Sequence, residues 1–203
     1  MKSSTAEILP IIGTVMGGGF YAGRIRIDGT PFALIVAPKS DGQHKPTLWI
    51  PKYKAVPGAV SYYDGLANTM AMAEAGSKLA QWARDLRIGD QDDWYLPSQD
   101  EFEILYRNLK PSACDNSGWG RSGINLSAIE PTRPYTPQLP AQTPTEAFQI
   151  GGSEAFDEDA YWSSTQHVSG SGAAWSQHFD SGGQGCSFTS TKLRARAVRR
   201  LPI

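Results

Sequence analysis

The order of apolar and polar positions divides the chain into segments of different period. Phe20-Tyr21-Ala22-Gly23-Arg24-Ile25-Arg26-Ile27 alternates, and Phe32-Ala33-Leu34-Ile35-Val36-Ala37 is almost continuously apolar. Between them Asp28-Gly29 is a dipeptide that tolerates the positive φ of a two-residue hairpin turn, so the pattern predicts a β-hairpin whose second strand is the more buried. A polar loop is predicted over 38–47 and a short strand at Leu48-Trp49-Ile50. From Asp64 to Arg87 the pattern changes to a helical one. Leu66, Met70, Ala73, Ala80 and Leu86 lie among good helix formers, Gly65 and Gly76 threaten to split the segment, and Gly89 suits its C-terminal cap.

Trp94-Tyr95-Leu96-Pro97 reads as extended, and Ser98-Gln99-Asp100-Glu101 as a capping box that starts a second helix. Phe102, Leu105, Tyr106 and Leu109 form the stripe that this helix buries, and Pro111 ends it. Residues 111–150 are rich in Pro, Ser, Thr, Asn and Gly. They predict a long excursion with little regular structure, packed down by Trp119, Ile124, Leu126 and Tyr135. Residues 161–203 return to short strands and turns. The fold class is therefore α+β: an N-terminal lead-in and hairpin over 1–55, integral to the same domain or a separate attachment module, and a domain over 56–203 with its irregular insertion at 111–160.

Composition narrows the function classes. With 40% hydrophobic and 19% charged residues the chain has enough apolar side chain for a packed core. A net charge of −1 gives no long-range attraction to nucleic acid or an anionic membrane. Two cysteines, Cys114 and Cys186, make neither a metal motif nor a disulfide framework; free thiols or one bridge between them remain open. Ile8 to Met16 is interrupted by Pro10 and Gly13 and has no convincing small-residue cleavage site, and no run is long enough to span a membrane. The expectation is a chain made in the cytoplasm without a signal peptide, reaching the outside of a cell, if at all, on a larger particle such as a virion.

The last forty-odd residues mix two vocabularies. Tyr161-Trp162-Ser163-Ser164-Thr165-Gln166, Ala174-Trp175, Phe179 and Leu193-Arg194-Ala195-Arg196-Ala197-Val198-Arg199-Arg200 look like a frame. Between them stand small, turn-prone residues with scattered larger ones. The candidate ligand-binding positions are His167, Ser169, Ser171, Gly172, Ser176, His178, Asp180, Ser181, Gly183, Gly185, Cys186, Ser187, Phe188, Ser190 and Thr191. A rigid frame carrying polar loops is the form of a binding surface.

The segments Asp92-Asp93-Trp94-Tyr95-Leu96-Pro97-Ser98-Gln99-Asp100-Glu101-Phe102, Tyr161 to Gln166, Ala174-Trp175 and Arg194 to Arg199 resemble a family of C-type lectin-like domains from bacteriophages and bacteria. The resemblance covers about residues 60–203. It implies a lectin-like fold with two helices and short, twisted antiparallel sheets. Some proteins of this fold are variable proteins of diversity-generating retroelements, in which adenine mutagenesis diversifies loops near the C-terminus. The polar positions of 167–191 hold residues of the kind that such mutagenesis yields, although ordinary loops are also rich in Ser, Gly and Asp. The resemblance implies a tail-associated receptor binder whose partner is a protein or carbohydrate ligand on a cell surface, as a homo-oligomer or within a phage particle. The Glu-Pro-Asn-like and Trp-Asn-Asp-like runs of calcium-dependent lectins are absent, so neither a calcium-mediated sugar site nor any other metal or cofactor is expected.

Each candidate has a plainer reading. His167 and His178 lack the third ligand a metal would need and read equally as loop histidines. Trp162 and Trp175 suit sugar stacking or a core. Phe188, alone in a polar stretch, suits either a partner anchor or an ordinary exposed aromatic. Arg194, Arg196, Arg199 and Arg200 suggest a nucleic-acid patch less well than a salt-bridged strand with Asp90, Asp92 and Asp93 as partners. Asp157, Glu158 and Asp159, with Asp180, read as a solvated turn more simply than as a cation site. No nucleophile, phosphate-loop or dinucleotide motif occurs, and no catalytic residue is assigned. Two alternatives stay open. One is an enzyme of the formylglycine-generating kind acting through Cys186; the other is a structural tail or assembly protein that buries 167–191 against another subunit.

Overall fold

The computed structural model describes residues 9–117, 123–130, 132–168 and 172–203. Two sheets organise it. The first has the order β1-β2-β3-β9, from β1 (Val15–Met16), β2 (Gly19–Ile27), β3 (Thr30–Val36) and β9 (Val198–Pro202), with every neighbour antiparallel. The second has the order β4-β8-β5-β6-β7, from β4 (Gln43–Thr47), β5 (Ala160–Gln166), β6 (Ala173–His178), β7 (Gln184–Phe188) and β8 (Leu193–Arg196). In the second sheet only β5 and β8 run parallel. Mixed helices and curled, mostly antiparallel sheets make this α+β chain a C-type lectin-like fold, as its motif resemblance implies.

The predicted hairpin forms around Asp28 and Gly29, both at positive φ (47° and 84°), which matches the right-handed twist of its strands. β3 is buried from Ala33 to Val36, and β9 pairs along its other edge. The helical segment divides at Gly76 (φ 97°) into α2 (Gly65–Glu74) and α3 (Lys78–Asp85); a four-residue turn, α1 (Lys39–Gly42), precedes both. Gly89 does not cap α3. The helix closes at Leu86, and Gly89 sits in the turn that joins Ile88 to Gln91. The capping box at α4 (Gln99–Leu109) is present in both halves: the Ser98 hydroxyl accepts from the Glu101 N–H, and the Glu101 carboxylate accepts from the Ser98 N–H.

Two apolar clusters lie on opposite faces of the second sheet, because alternate residues of a strand point to opposite sides. Tyr161 and Phe179 join Phe102, Tyr106 and Phe156 on one face. Trp162 and Ala174 join Trp49, Met72 and Leu96 on the other. Trp49 is not in a strand. Its buried indole N–H donates to the Ser163 carbonyl and anchors an irregular segment. The loop expected over 38–47 instead contains α1 and β4, whose pairing with β8 could not be seen in so polar a stretch.

The excursion after α4 is held mainly by polar contacts. Asn116 accepts from the Tyr106 hydroxyl and donates to the carbonyls of Thr136, Pro137 and Pro140. Asn125 donates to Asp100 and Glu103. Tyr135 is buried, as expected, but Ile124 and Leu126 are exposed, Leu126 at 90%. Trp119 lies outside the described residues.

The arginine-rich end is salt-bridged. Arg196 is fully buried and binds the Glu154 carboxylate and the carbonyls of Glu154 and Ala37. Burial lowers its pKa to about 10, which still leaves the cation intact at neutral pH. Arg199 pairs with Asp93, Arg200 with Asp64, and Arg194 with Asp157 and Asp159. The guanidinium groups thus serve the frame. Of the three acids named as partners from the sequence, Asp93 is the one that pairs, with Arg199.

Candidate functional site

The β6–β7 ribbon forms one side of the second sheet and ends it at β7. Directly paired residues share a face, so the register fixes three rows. Tyr161, Gln177 and Gln184 make the innermost row, Trp175 and Cys186 the next, and Ala173 and Phe188 the outermost. Exposure increases along the rows: Tyr161, Gln177 and Gln184 are buried, Trp175 is half-buried, Cys186 is exposed, and Phe188 is 66% exposed. The aromatic frame under the first row fixes the ribbon, with Phe156 and Phe179 stacked at 3.9 Å between centroids and Phe102 at 6.1 Å from Phe179.

The structure sorts the sequence candidates. Cys186, Phe188, Ser190, Thr191 and Asp180 are exposed; His167, Gly172, His178, Ser181, Gly185 and Ser187 are partly so. Ser176 and Gly183 are buried. Ser176 belongs to the opposite face, where its hydroxyl donates to the Gly185 carbonyl at 3.3 Å. Ser169 and Ser171 lie outside the described residues. His178 is 3.7 Å from Asp180, and His167 packs its ring 5.1 Å from Trp175. Asp157 is occupied by Lys39, Gln43 and Arg194, and Asp159 by Arg194. Cys114 and Cys186 are both free and exposed.

Sequence reasoning missed the segment 53–63, which wraps the end of the ribbon. Gln166 holds it: its side chain accepts from the Val56 N–H and donates to the Lys54 carbonyl, and its backbone N–H donates to Ala59. The segment brings two tyrosines to the site. Tyr53 is 63% exposed, bonds Ser190 through its hydroxyl, and lies so close to Gly172 that a Cβ there would be 2.7 Å from the ring. Tyr62 lies 6.0 Å from Trp175 and accepts from the Asp100 N–H through its carbonyl. Beside it is a depression of about 620 Å³ walled by Val60, Tyr62, Tyr63, Asp100, Leu126 and Ser127. The sequence signal was the aromatic cluster Tyr62-Tyr63 at the start of α2.

Below this surface lies a set of buried polar atoms without partners. Four of the seven such side-chain atoms among the described residues belong here: Trp175 Nε1, both amide atoms of Gln99 and Gln184 Oε1. Gln184 Nε2 does bond, to the Gln99 carbonyl and to Gln177 Oε1, which ties the ribbon to the start of α4. An unmet buried polar group costs about 1–3 kcal/mol, so four in one layer carry a stability cost that packing alone does not explain. A second cavity, about 440 Å³ between β2 and the C-terminal half of α4, differs in this respect. Its charged walls pair among themselves, Arg24 with Glu130 and Arg107 with Glu103.

Next to this layer, the Glu101 carboxyl is fully buried. Burial pushes its pKa up to about 7, against the opposing pull of hydrogen bonds from Ser98 and Tyr95 and the charge of Arg200. Its oxygens are taken by the helix cap and the Tyr95 hydroxyl, so it serves the frame of α4.

Residues 48–199 match the model of the family described as the Lcl C-terminal domain, a lectin-like binding domain. No curated protein matches the chain.

Proposed function

We propose that this chain, which belongs to the Lcl C-terminal domain family, is a phage- or prophage-encoded protein that binds a protein or carbohydrate on a cell surface. The exposed ribbon is the binding surface in this reading. The observation that supports it best is the gradient across the ribbon rows, from buried Tyr161 to exposed Phe188, on a frame locked by aromatic stacking and ion pairs. Such a surface loses little conformational entropy on binding because it is already ordered. Multivalent display, as on a tail, would raise a weak affinity per copy.

In this reading residues 9–55 are part of the same scaffold, since β3 pairs with β9 and β4 with β8. The protein is made in the cytoplasm and carried on a virion. Retroelement-driven diversification would act on the exposed positions Cys186, Phe188, Ser190 and Thr191. The test is to replace these four together by the residues of a related chain and measure binding of labelled protein to a panel of bacterial cells. Binding should shift between cell types while the urea midpoint stays within about 0.5 M. Unchanged cell preference would refute the assignment of the surface.

A further inference from the structure

We infer that the outer edge of β2 carries a binding site for an apolar molecule that ends in a carboxylate, which takes the place of Glu130 at Arg24. The site is separate from the ribbon. It begins with an interruption in the pairing of β2. On the outer edge of this strand the Tyr21 backbone bonds Gly13 and Thr14, while the Arg24 carbonyl and the Arg26 N–H bond Ile129 and Ser127. Between these two sets the strand is bulged, with a register shift between Tyr21 and Gly23, and β1 pairs only as far as Phe20. The cavity of about 440 Å³ opens at this gap. That size lies within the range of ligand pockets, about 300–1,000 Å³. Leu9, Pro10, Ile12, Ile104 and Ala128 give it apolar walls.

The polar part of the wall selects the ligand. Glu103 and Arg107 are already committed. The Glu103 carboxylate accepts from Arg107, Asn125 and Tyr135, and Arg107 also donates to the carbonyls of Gly123 and Arg133. Arg24 differs. In an antiparallel strand a residue turns its N–H and its C=O to the same edge. The Arg24 carbonyl accepts from the Ile129 N–H at 3.3 Å, so the Arg24 N–H faces the gap, and no described residue accepts from it. The Arg24 guanidinium pairs with Glu130, and the two side chains are 34% and 75% exposed. An exposed pair of this kind is worth little, and Glu130 returns to water at small cost. A ligand carboxylate that reaches the guanidinium from the cavity gains more. It has the Arg24 N–H as a second donor, less screening by solvent, and apolar walls for its hydrocarbon part. A cation would meet Arg24 as a like charge. A neutral apolar molecule would leave both donors unmet. Glu130 thus acts as a tethered competitor for the site.

The competitor gives the test its sign. The full chain is titrated with hydrocinnamate and isocaproate, with their primary amides, and with a short acetylated peptide that ends in phenylalanine. Calorimetry measures affinity, and methyl NMR follows Ile12 and Ile104, which line the cavity. The acids should bind and shift both isoleucine resonances, and the amides should bind about tenfold more weakly or not at all. Arg24→Met should weaken the acids by about tenfold or more, with an unchanged urea midpoint because the pair it breaks is exposed. Glu130→Gln should strengthen them about two- to fivefold by removing the competitor. A purely structural Arg24–Glu130 pair predicts no such gain. Binding of the peptide as well as the acids would assign the carboxylate to a chain end, and binding of the acids alone to a free small molecule; both support the site. Failure of the acids to bind wild type and Glu130→Gln alike would overturn the inference. So would equal binding of acid and amide, weaker binding by Glu130→Gln, or binding that leaves Ile12 and Ile104 unshifted.

Discussion

Replacing Gln99 by methionine should stabilise the protein, which is unusual for a fully buried position at the first turn of a helix. The side chain is 0% exposed and neither amide atom has a partner. Leaving a buried polar group unpaired costs about 1–3 kcal/mol. Methionine is close to glutamine in length and adapts to irregular space, so most of that cost is removed and little strain is added. The helix start does not depend on this side chain. Ser98 and Glu101 form the capping box, and Thr165 Oγ1 accepts from the Gln99 N–H. The net gain is about 1–2 kcal/mol, which for a chain of this size raises the melting temperature by about 2–8 °C. Calorimetry together with urea unfolding at constant m-value measures it. A loss of 1 kcal/mol or more would show that the amide is satisfied in solution, and the reasoning from orphaned atoms would then fail.

Glu101 gives a pH signature. Its pKa is raised from 4.5 to about 7 in the folded chain, so the folded state binds more protons between those values. Its contribution is full below pH 4.5, declines as pH rises toward 7 and is flat beyond, a change of about 3 kcal/mol. Urea unfolding from pH 4.5 to 8 should show that slope flattened in Glu101→Gln; identical slopes would refute the shift. Arg196→Met breaks a buried ion pair and leaves the Glu154 carboxylate, 12% exposed, without its cation. It should cost about 3–5 kcal/mol in urea unfolding, and a cost under 1 kcal/mol would show that the pair does not hold the frame. Phe188→Ala removes a 66% exposed ring and should change stability by under about 0.5 kcal/mol while weakening cell binding at least fivefold. A large loss of folding would place Phe188 in the core.

How much could be read from the sequence depended on the range of the interactions. The hairpin turn at Asp28-Gly29 and the capping box at Ser98 are local, and both are present. The break at Gly76 was local too. β4 was invisible because His44 and Lys45 carry no strand pattern of their own and take their conformation from β8. Arg196 read as an ordinary member of a salt-bridged strand. Its burial depends on Glu154, forty-two residues earlier, and on Phe156 lying 4.8 Å from the guanidinium. Leu126 failed as a core residue because asparagine side chains, not apolar ones, hold the excursion. At the candidate site, the exposed Cys186, Phe188 and Ser190 stood out as departures from the frame vocabulary. Tyr53 and Tyr62 did not, since long-range contacts such as those of Gln166, more than a hundred residues distant, bring their segment over the ribbon.

The central claim is that this chain binds its ligand through the ribbon and the segment that wraps it. Amide hydrogen exchange, with and without an envelope preparation from cells that the protein labels, tests it most directly. The account predicts slowed exchange over 184–191 and 53–63 and no change over β2 and α3. Protection confined to β2, β3 or α3, with the ribbon exchanging as in the free protein, would contradict it.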